Sequence, residues 1–213
     1  MTVTYAMHNA LRRELGHFAR AVARARPDPR SVLRTAAGWG LFRTAFHTHH
    51  SAEDSALLPS LRQALDGRPL DLTRLEAIEA EHAALAAVLD AIDGALVGPG
   101  VGPDLFGELA GSLITGLQGH LLHEEEAVFP LVQAFLSREQ WEHFGHVHTQ
   151  RITADAVRLL PWLLDGVSER TVSAVLTQLL PRSAHHAYVH RWQPAYAVLD
   201  RWGIQGALTV HRP

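Results

Sequence analysis

Two stretches of the chain place metal-binding side chains at one-turn spacing. His49 stands four residues before Glu53 and ten before Pro59, and His120 stands four before Glu124 and ten before Pro130. Four residues is about one turn of α-helix. Each imidazole and its carboxylate therefore share one helix face and can converge on one point. A longer repeat encloses both pairs. His8 is followed by Leu11 and Leu15, and His82 by Leu85 and Leu89 at the same spacing. The chain thus reads as a helix with one His, then a helix with His-x3-Glu, then both again. Each hairpin supplies three candidate metal ligands: His8, His49 and Glu53 from the first, His82, His120 and Glu124 from the second. Two carboxylates facing four imidazoles suit two cations about 3.5–4 Å apart.

Other polar residues flank these positions. His50 and Asp54 form a second one-turn pair, rotated about 100° from the first. Each is an extra ligand, a partner that orients a ligand, or solvated surface. His123 and Glu125 carry the same alternatives, and Glu126 reads as exposed. His17 and His47 lack a matching partner. His143, His146 and His148 cluster in sequence, as do His185, His186 and His190. His186 and His190 are one turn apart and could bind a metal, but no carboxylate or repeated partner stands beside either group, so neither is counted in the site.

Composition narrows the chemistry further. The 213 residues include 15 His and no Cys. Disulfides, thiolate metal sites and Cys nucleophiles are thereby excluded, and the absence of Cys fits a reducing compartment. His with carboxylate suits iron, zinc, copper or manganese. A net charge of −3 gives no basic field for nucleic acid. No signal-peptide pattern and no long apolar run is present, so a cytoplasmic location without membrane contact is expected. No Ser/His/Asp order, Gly-rich phosphate loop or nucleotide fingerprint supports another enzyme class.

The elements that must position these residues are helical throughout. Val3, Met7, Leu11, Leu15, Phe18 and Val22 form one stripe, ended by Pro27 and Pro29. Ser31 is the expected N-cap of a second helix reaching about Pro59, weakened in its middle by Gly38 and Gly40. Asp71 opens a third, with Leu75, Ile78, Leu85, Leu89, Ile92 and Leu96 on one face. The run from Val97 to Pro103 breaks it. Asp104 starts a fourth towards Phe135, and Ser137 to Gln140 has the form of a capping box. The expected fold class is all-α: an up-down-up-down four-helix bundle over residues 1–136. Residues 137–213, Trp-rich and divided by Pro161, Pro181 and Pro194, form a helical extension on the bundle or at a dimer contact.

The residues His8, His49-His-Ser-Ala-Glu53, Glu81-His82 and His120-Leu-Leu-His-Glu124 with Phe129-Pro130 resemble the hemerythrin HHE family of cation-binding bundles. The resemblance covers about Tyr5 to Leu136. It implies two iron ions joined by an oxo or hydroxo group and bridged by Glu53 and Glu124. His8, His49, His82 and His120 are then terminal ligands. It also implies O2, NO or peroxide as the bound partner. Oxygen-carrying members use five His, with a pair one turn apart on the third helix. Here Ile78 and Ala86 occupy the positions one turn from His82, so the fifth His is missing or replaced, with His50 the nearest candidate. Those members also use His-x4-Asp on the fourth helix, a register that His120 and Glu125 mimic. Fewer protein ligands leave positions open to small molecules, which favours reactivity over simple carriage. Three functions follow: a binding module for O2 or NO, a di-iron oxidoreductase acting on peroxide, O2, NO or a small substrate, or a metal storage protein.

Overall fold

The computed structural model describes residues 1–24, 30, 33–34, 36–98 and 102–203. Pro27, Pro29, Ser31 and the centre of the Val97–Pro103 break lie outside them. Among the described residues there are helices and turns and no strand. The apolar stripe of the first helix, α1 (Thr2–Arg24), buries Val3, Met7, Leu11, Leu15 and Phe18. The second, α2 (Ala37–Ala52), starts at Ala37 rather than at Ser31, so Gly38 and Gly40 sit in its first turn. It continues through a π-helical turn (Glu53–Leu57) into α3 (Leu58–Ala64). The third rod is the unbroken α4 (Pro69–Val97). The fourth is α5 (Pro103–His123), a second π turn (Glu124–Val128) and α6 (Phe129–Phe135).

Side-chain contacts give the directions of the four rods. His8 meets His49 and Phe18 stacks on Trp39, so α1 and α2 run antiparallel. Arg43 pairs with Asp90 and Arg62 with Glu79, which turns α4 back along α2 and α3. Glu81 bonds His123 while Leu85 lies against Gly116, so α5 reverses again. Tyr5 against Phe129 and Arg12 on Glu125 close the ring between the first rod and the fourth.

The two π turns share a cause. Each begins six residues before a proline, Pro59 or Pro130. Proline has no N–H to give, and its ring crowds the carbonyl four residues back. The preceding residue then bonds one position further: the Leu58 N–H donates to the Glu53 carbonyl and the Phe129 N–H to the Glu124 carbonyl. A third π turn (Tyr188–Trp192) precedes Pro194 in the same way, with the Gln193 N–H donating to the Tyr188 carbonyl. The proline of the repeat thus sets the backbone where the carboxylates stand.

The extension shares the bundle's core. The Ser137 hydroxyl accepts from the Gln140 N–H and the Gln140 side chain accepts from the Ser137 N–H, capping α7 (Arg138–Ala154). This helix packs along α2 and the first π turn, where Arg151 donates to the Ser55 hydroxyl. Next come α8 (Ala156–Leu163), α9 (Glu169–Leu179), α10 (Arg182–Ala187) and, after the third π turn, α11 (Gln193–Ala197). Trp162, Val175 and Tyr196 join Phe18, Phe42 and Phe106 in one apolar cluster. Trp202 closes the fold: its indole N–H donates to buried Glu14, and the Gly38 N–H donates to the Arg201 carbonyl. No helix among the described residues is long and apolar enough to cross a membrane.

A candidate two-metal centre

Along the second, third and fourth rods the polar positions fall between two apolar clusters, while on the first Met7 and Leu11, on either side of His8, belong to one of them. One holds Leu57, Leu61, Leu75, Ile78 and Val128; the other holds Leu85, Leu89, Leu113 and Leu117. Fully burying such a side chain contributes about 1.5–3 kcal/mol, which offsets the cost of the ionisable groups enclosed between them. The enclosure is nearly complete: His8, His49, Glu53 and Glu124 are 0 % exposed, His120 2 %, His50 4 % and His82 6 %.

These seven side chains fall into two sets. His8, His49, Glu53 and Glu124 bring one ligand atom each within 4.8 Å of the others, and so do His50, His82 and His120. The His8 and His49 Nε2 atoms are 2.9 Å apart, and those of His50 and His120 3.1 Å. Two nitrogens bound at right angles to one cation at about 2.0–2.1 Å lie about 3.0 Å apart. The carboxylates span both sets. Glu53 lies 3.3 Å from His49 Nε2 and 4.0 Å from His82 Nε2; Glu124 lies 3.2 Å from His8 Nε2 and 3.9 Å from His120 Nε2. All four carboxylate oxygens and His82 Nε2 are buried without a hydrogen-bond partner. Such atoms are costly unless a cation takes them. The donors present therefore fit two cations held between two carboxylates.

Backbone and carboxylate partners fix most of the rings. Glu125 accepts from His8 Nδ1 at 2.8 Å and is itself gripped by both guanidinium nitrogens of Arg12. Asp54 accepts from His82 Nδ1 at 2.6 Å. Glu81 accepts from His120 Nδ1 and from His123 Nδ1. The His50 Nδ1–H donates to the Phe46 carbonyl. An Nδ1–H held this way turns Nε2 inward as the free ligand atom. His49 alone has an Nδ1 that is buried and unpartnered.

Burial sets the charge state. It pushes His49 and His50 well below the ordinary imidazole value, and the neighbouring rings push further. Burial and the Glu124 charge raise the Glu53 carboxyl well above its ordinary value. Burial would raise Glu124 too, but contact with His8 outweighs it and holds that carboxyl low. Of this pair Glu53 is thus the carboxyl whose surroundings favour the proton. A solvent cleft of about 430 Å³ between α2 and α4 reaches the site, lined by Phe46, His50, Asp54, His82 and Ala83. A larger apolar cavity, about 550 Å³, lies under Trp192 and Tyr196 against Ala37 and Leu41. At 1.5 Å per residue those positions are about 12 Å or more along α2 from His49, so that cavity does not open on the site.

The family model of the hemerythrin HHE cation-binding domain matches residues 2–132. The chain belongs to the hemerythrin HHE family. No curated protein and no solved structure matched. As an HHE protein it is a helical cation-binding protein, and its His/Glu clusters are placed to hold metal. The six candidate ligands read from the repeat all lie in the two clusters, and His50 joins His82 and His120 as a third ring. The fifth His of the two clusters thus comes from α2, next to His49, rather than from α4. His123 stays outside the clusters, one third exposed on Glu81. Asp54 pairs with His82, not with His50, its partner by spacing.

Sequence reading missed three residues. Glu81 was only a neighbour of His82, and Arg12 carried no motif. His148 was grouped with surface His143 and His146, yet it is 2 % exposed and its ring lies 5.3 Å from that of His49. The repeat held a signal for Asp54 and Glu125. Each follows the buried Glu of its half, and each backs the lone His of the neighbouring rod.

Proposed function

We propose that this HHE protein holds two iron ions and binds O2, NO or peroxide at the one held by His8 and His49. The carrying observation is the unequal share of imidazoles between two carboxylate-linked clusters. Three rings face one position, and two face the other. With Glu53 and Glu124 shared, the second position has the fewer protein donors and so a coordination position left for an outside ligand. Bound iron would supply reversible redox chemistry, and family membership favours iron among the metals this donor set accepts.

The chain's own residues do the rest. Carboxylate and imidazole bind metal only when deprotonated, so metal binding strengthens as pH rises. Arg12 and Glu125 hold His8 in the tautomer with Nε2 free, and Asp54 and Glu81 do so for His82 and His120. The apolar clusters above and below keep bulk water out. The α2/α4 cleft reaches the centre on its three-ring side, at His50 and His82, and gives small molecules a route from solvent to the neighbouring ion.

The test is optical titration of the ferrous protein under anaerobic conditions. A carrier gives an oxygenated spectrum that reverts under vacuum, whereas an oxidoreductase gives O2 release from peroxide or consumption of NO. A protein that loads iron but shows neither, and whose spectrum ignores azide, is not a ligand-binding centre.

A further inference from the structure

The two halves of the site are related by the sequence repeat, and one element of the relation is broken. In the second half Glu81, the residue before His82, accepts from His120 Nδ1. Its counterpart in the first half, the residue before His8, is Met7, fully buried and with no group to accept an N–H. His49 Nδ1 is accordingly the one Nδ1 among the five clustered rings left buried and unpaired. The ring of His148 of α7 lies 5.3 Å from that of His49, tilted 33° to it and stacked on Phe144 at 5.5 Å. Its Nε2 is also buried and unpaired. It comes from outside residues 2–132, the span matched by the family model.

We propose that His148 is the positioning residue for His49, supplied by the extension in place of the carboxylate that Met7 cannot provide. His49 with Nε2 turned to the metal carries its proton on Nδ1. With His148 protonated on Nδ1, its Nε2 lone pair is the acceptor that the His49 Nδ1–H lacks, so the two orphan atoms are complementary as one donor and one acceptor. Buried polar atoms without partners are rare and costly, and here two lie on adjacent rings. The extension then completes the metal site of the bundle and does more than cover it.

This inference rests on the two-metal reading, and one experiment separates the two. Ferrous iron is titrated anaerobically into the wild-type protein, His148→Phe and His148→Gln, with both site affinities fitted. Phe keeps the ring stack on Phe144 but offers no lone pair; Gln restores an acceptor. Wild type should bind two equivalents. His148→Phe should weaken one of the two about 10–100-fold, the usual cost of losing such a partner, leave the other unchanged, and be rescued in large part by Gln. Wild type binding fewer than two equivalents defeats the two-metal reading itself. Wild type binding two while His148→Phe matches it, weakens both sites equally, or is not rescued by Gln overturns the role of His148 alone.

Discussion

Glu53 and Glu124 are both fully buried, and their surroundings push them in opposite directions. Two carboxylates enclosed together without a cation repel, and one keeps its proton. That makes Glu53 a stored cost which metal removes. Glu53→Gln keeps the shape and removes the ionisable group. We expect it to bind fewer than two metal ions per chain while its metal-free form melts at or above the wild-type temperature. Metal analysis and a thermal melt of both metal-free proteins check this. Two ions retained by the variant would refute the bridging role. The ligand residues were legible because their spacing recurs. Their partners were less so. Asp54 and Glu125 follow the repeat but act across rods, and Glu81 matters through His120, thirty-nine residues away. His148 carries no repeated neighbour, so only packing reveals it.

At the scale of the elements, the apolar stripes predict the rods, and Pro59 and Pro130 enter the sequence only as the last members of the two repeats. In the structure Pro59 and Pro130 do more: they force the π turns that begin at the two bridging candidates. π turns often mark functional sites. Here the widened turn lets adjacent residues serve different ends, Glu53 buried in the site and Asp54 half-exposed on His82. Ser31, the expected N-cap of the second helix, lies outside the described residues, and Gly38 and Gly40 sit at the start of α2 rather than weakening its middle. Gly38 is required by a close approach instead: a Cβ there would sit 2.5 Å from Trp202 Cε2 and 2.6 Å from the Arg201 carbonyl. Gly38→Ala should therefore lower stability by about 1–3 kcal/mol, the usual cost of overpacking. Iron stoichiometry should stay unchanged, because the clasp is remote from the His cluster. A melting temperature equal to wild type would show that the Trp202 clasp gives way freely.

Over the whole molecule, metal loading and stability are one equilibrium. Metal bound only by the folded chain stabilises it by mass action, about 4 kcal/mol at a thousand times the dissociation constant. Without metal, acid should be damaging. Burial holds His49 and His50 below the ordinary 6.5 and pushes His148 down to about 4. Below pH 6.5 the unfolded chain binds protons that the folded one refuses, so stability falls as pH falls from about 6.5 towards 4. Glu53 acts in the opposite sense, its raised value favouring the folded state at lower pH, but one carboxyl opposes three rings. Chemical denaturation of the metal-free protein at pH 7.0 and 5.0 should show the lower midpoint at 5.0; equal midpoints would contradict the burial of these rings. The central claim remains the pair of metal positions created by the repeat. Its most direct test is anaerobic iron loading followed by quantification per chain. We predict two irons in the wild type and fewer than two in Glu124→Ala. One iron or none in the wild type, or two in the variant, would contradict the account.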